Sequence, residues 1–364
     1  MKTSKSIYIH IPFCKHICGY CDFVKVGYHK ELADKVLTRI IEDCKGVEGP
    51  ISSIYIGGGT PSSLTNEQLL RLKDAIAPFI HDEIEVTIEI NPETMDISKA
   101  KLMKEMGINR ASIGIQAIQP RLLDTLTRKH TFADAQAVIL QLRDVGISNI
   151  SVDAMYGIEN QTLDDFKETL HAFVSENVDH ISLYALVIEQ NTAFYKQNVQ
   201  QVDNELEGEF YELAHDYLTN HGYDHYEVSS FAKNNKKSNH NLGYWKYQDF
   251  IGIGPGAASK IGCHRFTNTK NLNHYLLKKE LLSEEVVLDH EQCLFEHIMM
   301  GLRLREGLNL NELSEKFNFD VKTHYQTAIQ EGIIKDWLTI ENNQLKTTYH
   351  GMLFLHDVLL LFMT

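Results

Sequence analysis

The strongest constraint on the fold is an alternation running from Ser6 to about Ile188. Short apolar segments rich in Ile, Val and Tyr recur at 6–11, 51–57, 83–90, 110–116, 149–157 and 180–188. Such β-branched and aromatic runs suit buried strands. The stretches between them are amphipathic and have readable starts. Thr65 with Gln68, Thr131 with Asp134 and Thr162 with Asp165 each show capping-box spacing. Gly107 and Gly146 stand where two of these helices should stop. Strand–helix alternation predicts an α/β fold with a parallel sheet and right-handed crossovers. Six units without a switch in order predict an incomplete (β/α)6 barrel rather than a flat sheet.

In either architecture ligands bind at the carboxyl ends of the strands. The polar residues that interrupt or follow the apolar segments are Gly57–Thr60, Glu89 with Asn91, Gln116 and Asp153. All belong to one rim. The loop after the first strand joins it and carries Cys14, Cys18 and Cys21, half of the chain's six cysteines.

Beyond residue 188 the pattern changes twice. The expected division is a partial barrel over 1–188, an extension over 189–285 that completes the barrel face, and a C-terminal module over 286–364. The extension carries "HNLGYW" at 240–245 and the glycine-rich "GIGPGAAS" at 252–259. The latter reads as a turn, since no Lys-Ser/Thr ending marks a phosphate loop. The module reads as short helices followed by a hairpin turning at Asn342–Asn343, a winged-helix-like outline. Its charges oppose DNA binding: across 306–335 five acidic residues outnumber three lysines.

A formal charge of −14 argues against broad nucleic-acid binding, which needs a basic face. No signal peptide is evident, because the apolar stretch 7–13 contains His10 and Pro12 and runs into the cysteines. The apolar run 351–364 is too short to span a bilayer and is expected to dock on the core, with membrane contact not predicted. A cytoplasmic location is the expectation. Reducing compartments keep thiols free, so Cys44, Cys263 and Cys293 are expected to be unpaired packing residues.

The spacing Cys14-x3-Cys18-x2-Cys21 suits a metal centre. Zinc would take a fourth ligand, and His10 or His16 is near enough in sequence to supply it. A four-iron cluster on three cysteines leaves one iron open to a small molecule. That property gives three thiols a reason that four would remove.

The C-x3-C-x2-C spacing resembles the mark of the radical S-adenosylmethionine (SAM) superfamily, and the rim residues resemble its other motifs. The resemblance implies a [4Fe–4S] cluster on Cys14, Cys18 and Cys21, with SAM on the open iron. It further implies that "GGGTPS", with Gly58, Gly59 and Thr60, approaches the methionyl amino group. Glu89 would meet that amino end, Arg128 the carboxylate, and Gln116 with Asp153 the ribose. Tyr20 would pack near adenine and Tyr8 near the cluster. In this superfamily an electron from the reduced cluster breaks the C5′–S bond of SAM.

Nearly the whole chain is similar to the oxygen-independent coproporphyrinogen III oxidase group and its heme chaperone branch. Three features place it nearer the chaperones. No cysteine follows two residues after Cys21, where the sequence is Asp22-Phe23. Only 13 residues precede Cys14. "HNLGYW" matches the chaperone pattern HNxxYW. The branch implies heme as cargo, with His240 as a candidate iron ligand, and heme-accepting hemoproteins such as respiratory enzymes as partners. An electron donor is implied if SAM is cleaved. The alternative is the oxidase itself, which would decarboxylate coproporphyrinogen III propionates.

Overall fold

The computed structural model describes residues 5–363. Six parallel strands form its centre: β1 (Lys5–Ile11), β2 (Ile51–Gly58), β3 (Glu85–Ile90), β4 (Arg110–Gln116), β5 (Asn149–Tyr156) and β6 (His180–Ala185). They lie side by side in chain order with no reversal. Each is joined to the next through helix, as a right-handed parallel arrangement requires. The expected capping boxes at Thr65, Thr131 and Thr162 are all formed. Gly107 and Gly146 follow helices at φ +84° and +82°, a region where glycine carries no Cβ penalty.

Period-2 alternation divides the sheet into two chemically different faces. Ile9, Ile56, Ile88, Ile113, Val152 and Ile181 are fully buried in the core shared with the flanking helices. Their neighbours in sequence, Tyr8, Tyr55, Glu89, Ser112, Asp153 and Ser182, belong to the opposite face. The strands are therefore not apolar on both sides. Polar side chains line the inside of the partial barrel and apolar ones face the helices.

The sheet extends beyond both ends of the six. On one edge Ser230–Ala232 pairs antiparallel with β6. On the other, Phe250–Ile253 pairs parallel with β1 and begins an antiparallel run through Ala258–Ile261, His264–Asn268 and Leu282–Val287. The whole sheet has twelve strands. Gly254, at φ +104°, sits where a Cβ would lie 2.4 Å from the His10 carbonyl oxygen, so the glycine-rich turn packs directly on β1.

The C-terminal module has its own core, built from residues such as Leu294, Ile298, Leu313, Ile329 and Val358. Helices His290–Gly301, Leu310–Phe317 and Gln326–Ile334 precede the hairpin of Leu338–Glu341 and Gln344–Thr347. Asn342 and Asn343 turn it at φ 51° and 64°, as a type I′ turn demands. Leu308–Asn309 adds a third strand. The terminal run forms two short helices, Tyr349–Leu353 and Leu355–Leu360, and Val358 and Phe362 are buried in the module. Among the described residues no helix is long and apolar enough to cross a membrane.

One expectation is overturned. Cys263 and Cys293 form a disulfide, tying the turn after Ala258–Ile261 to helix His290–Gly301. Their separation of 30 residues conceals a Cα distance of 5.6 Å, which lies within bonding range. Cys44 is free and buried.

Candidate functional site

Cys14, Cys18 and Cys21 are all free and line one cavity of about 440 Å3 at the carboxyl ends of the strands. The loop that carries them is anchored at three points. Gly19 donates its N–H to Thr127 Oγ1 at 2.9 Å, and its carbonyl accepts from the Phe194 N–H at 3.0 Å. A Cβ on Gly19 would lie 2.3 Å from the Phe194 ring, which explains glycine between the second and third cysteines. Thr60 Oγ1 reaches Cys14 Sγ at 3.5 Å. Burial pushes the Cys14 thiol up to about 11, so its thiolate calls for a bound cation.

The glycine motif locks β2 to that loop. Gly59 N–H donates to the Ile11 carbonyl and Thr60 N–H to the Phe13 carbonyl, both at 2.8 Å. A Cβ on Gly59 would come within 2.9 Å of the backbone at Ile11–Phe13, and one on Gly58 within 2.5 Å of the His10 ring. Close packing against the cysteine strand accounts for these glycines within the protein itself. Both still line the cavity.

Glu89 is central to the inner wall. Its carboxylate accepts from Tyr55 Oη and from the Gly58 N–H, each at 2.9 Å. Burial pushes its pKa to about 7, with the Tyr55 contact opposing and Asp153 adding to the rise. Asp153 rises to about 6, again through burial, while Arg110 restrains the shift. Two half-buried carboxyls poised near neutrality suit a cation or a diol. Gln116 ends β4 at φ 73°, and its Oε1 has no partner among the described residues. Arg128 donates to Asn91 Oδ1 at 3.0 Å and to the Gly114 carbonyl, while Nη1 lies 3.6 Å from Cys18 Sγ. Its Nε is buried and likewise without a partner. Tyr20 lines the same cavity, its ring 6.2 Å from Phe194.

Eleven of the residues singled out from sequence thus meet in one place: the three cysteines, Tyr20, Gly58, Gly59, Thr60, Glu89, Gln116, Arg128 and Asp153. Two do not. Tyr8 lies deeper in the barrel, bonded to His10 Nδ1 at 3.0 Å and 6.1 Å from the Tyr55 ring, and is absent from the cavity wall. His240 lies at the opposite end of the strands. Ser53 Oγ holds its Nδ1 at 2.9 Å and Tyr244 Oη its Nε2 at 2.8 Å. The Asn239 and His240 N–H groups both donate to the Glu85 carboxylate at 3.0 Å. With the side chain buried and both ring nitrogens engaged, His240 presents no lone pair to an iron in this conformation. It pins helix Asn239–Trp245 to β2 and β3. His10 is spent similarly on Tyr8 and the Val24 carbonyl, so it is not a fourth metal ligand. His16 is exposed at the cavity mouth. Among the described residues no three His, Cys, Asp or Glu side chains converge on a single-ion position.

Sequence reasoning missed Tyr55, Ser112 and Tyr184, which complete the inner wall. Strand alternation from Glu89 and Asp153 was the available signal. It also missed Phe194, which no local pattern ties to the cysteine loop.

The three free thiols and the unpaired Gln116 Oε1 and Arg128 Nε fit a cluster with a polar ligand beside it. Comparison with known proteins agrees. The radical SAM superfamily model matches residues 8–173, and the HemN C-terminal domain model matches 288–354. A radical SAM domain implies a [4Fe–4S] cluster and SAM. The heme chaperone HemW of Bacillus subtilis (strain 168) is 32% identical over 97% of this chain and 98% of that protein. HemW of Haemophilus influenzae is 33% identical over 99% of this chain and 98% of its own. The solved structure of coproporphyrinogen III oxidase (HemN) from Escherichia coli, a radical SAM enzyme, matches with a TM-score of 0.86. It covers 100% of this chain and 90% of that one, at 19% identity, and so speaks for the fold alone. The chain belongs to the heme chaperone HemW family of the radical SAM superfamily.

Proposed function

We propose that this protein carries heme and delivers it to hemoproteins, with a [4Fe–4S] cluster and SAM at the barrel rim. The observation that carries this reading is full-length similarity to curated heme chaperones, with Asp22-Phe23 following the third cysteine. Held there and reduced by an electron donor, such a cluster would supply one-electron chemistry to SAM. The residues of the chain bind, orient and exclude water. Cys14, Cys18 and Cys21 would hold the cluster. Glu89 would face the ammonium of SAM, Arg128 its carboxylate, and Gln116 with Asp153 the ribose hydroxyls. A carboxylate accepts from two donors and still has lone pairs left, so Glu89 retains capacity for an ammonium. Tyr20 offers a face for adenine.

The second reading, a coproporphyrinogen III oxidase, draws on the shared fold. One experiment separates the two. Reconstituted protein is incubated anaerobically with SAM, an electron donor and coproporphyrinogen III, and porphyrin products are followed. Heme retention without decarboxylation is expected. Formation of decarboxylated porphyrinogen decides for the oxidase.

A further inference from the structure

A second cavity, of about 580 Å3, opens between the barrel extension and the C-terminal module. Resting on the reading of this chain as a heme carrier, we infer that this cleft holds an iron porphyrin with His297 as its iron ligand. The volume falls within the usual range for small-molecule sites. Trp245 lines it from helix Asn239–Trp245, and Leu308 and Leu313 from the module. Trp245, half-buried, offers a flat apolar face to a macrocycle, while Leu308 and Leu313 are buried in the module core and back the wall. An iron porphyrin also needs an axial ligand and, for its propionates, a cation.

His297 supplies the first. It projects from helix His290–Gly301 into the cleft, half-buried, with its ring 5.2 Å from Tyr247. The imidazole makes one hydrogen bond among the described residues, from Lys316 Nζ to Nδ1 at 3.3 Å. The Cys263–Cys293 disulfide fixes the same helix one turn earlier. The contrast with His240 is direct: there both ring nitrogens are held inside the barrel.

Lys316 supplies the second. The other lysines on the wall already have carboxylates, Lys246 with Glu306 at 2.9 Å and Lys346 with Glu341 at 3.0 Å. Lys316 forms no ion pair among the described residues; its ammonium meets the imidazole and lies 5.8 and 5.9 Å from the Tyr247 and Phe317 ring centres. A propionate is the stronger acceptor for that ammonium, because the bond becomes charge-assisted on both sides. Its arrival would draw Lys316 off Nδ1 and free that lone pair for iron. Cargo binding and iron ligation would then be coupled through one side chain. Glu312, also on the wall, opposes a second propionate on its side and favours one orientation.

The test is a hemin titration of the full chain, followed in the Soret region. Wild type is expected to bind about one equivalent. His297→Ala should shift the bands and weaken hemin at least tenfold, and added imidazole should restore the bands. Lys316→Met should weaken hemin but scarcely affect its dimethyl ester, which has no free propionates. Iron-free protoporphyrin IX should bind wild type and His297→Ala alike. If His297→Ala folds poorly, His297→Gln keeps a polar partner for Lys316 and is expected to give the same spectral change. Wild-type spectra and affinity in the His297 and Lys316 variants would overturn this site while leaving the carrier reading intact. Failure of the wild type to bind hemin would overturn both.

Discussion

Cys18 Sγ lies 3.6 Å from Arg128 Nη1, a contact between residues 110 positions apart that joins the cysteine loop to the rim beyond β4. The same guanidinium reaches Asn91 and the Gly114 carbonyl. Thiol and guanidinium nevertheless have separable roles. Replacing Cys14, Cys18 or Cys21 with Ala should abolish iron loading, because two thiolates do not hold a four-iron cube. Arg128→Ala should keep about four irons per chain while weakening SAM about ten- to a hundredfold, the effect of losing one charged hydrogen bond. Iron analysis and SAM titration on the same preparations check both. Equal iron loss in all four variants would make Arg128 a structural support of the loop.

The half-buried carboxyl of Glu89 should give SAM binding a pH signature. Its ligand-free pKa of about 7 is raised chiefly by burial, and an ammonium beside it favours the ionised form. Below pH 7 the carboxyl is protonated before binding and must lose that proton. Affinity should therefore fall as pH drops from 7 to 6, by up to about tenfold for one linked proton. Glu89→Gln should weaken binding at pH 8 and flatten this dependence. An unchanged slope in Glu89→Gln assigns the linked proton elsewhere.

His240 makes a different prediction from the one its motif implies. Removing the imidazole leaves Ser53, Tyr244 and a small void in the barrel. His240→Ala should cost about 2–4 kcal/mol of stability, with heme bands unchanged in the folded fraction. Burial lowers the His240 pKa to about 3, whereas the unfolded side chain titrates near its ordinary value. The stabilisation is thus complete above about pH 6.5 and declines as pH falls toward 3. Denaturant titrations at pH 7.5 and 5 should show the variant losing less stability on acidification than the wild type. A shifted heme spectrum at undiminished stability would return His240 to the heme site.

The Cys263–Cys293 bond closes a 30-residue separation, for which chain entropy gives about 3–4 kcal/mol. Reductant should lower the unfolding midpoint of the C-terminal module, and Cys263→Ser should remove that sensitivity. Identical melting with and without reductant would show that the bond contributes nothing to stability in solution.

The sequence revealed local chemistry more readily than long-range pairing. The capping residues Thr65, Thr131 and Thr162 act within one turn, and Asn342–Asn343 within one hairpin, so neighbouring residues suffice to identify them. Glu89, Gln116 and Asp153 converge because parallel strands in chain order bring their carboxyl ends to one rim. Cys263 and Cys293 could not be paired by inspection, since a helix and an antiparallel strand run lie between them. His240 shows a subtler limit. Its motif singled out the segment without showing that it is a helix, and Ser53 and Glu85, which occupy the side chain and backbone, come from distant strands. The nearby Trp245 instead faces the cleft where His297 stands.

Heme delivery by this chain can be read in a transfer assay. Protein loaded with one equivalent of heme is mixed with an apo-hemoprotein, and the acceptor's absorption bands are followed against an equal amount of free hemin. Heme is expected to leave this chain and fill the acceptor faster than free hemin does. Heme that stays bound, or that reaches the acceptor no faster than free hemin, would contradict heme delivery by this chain.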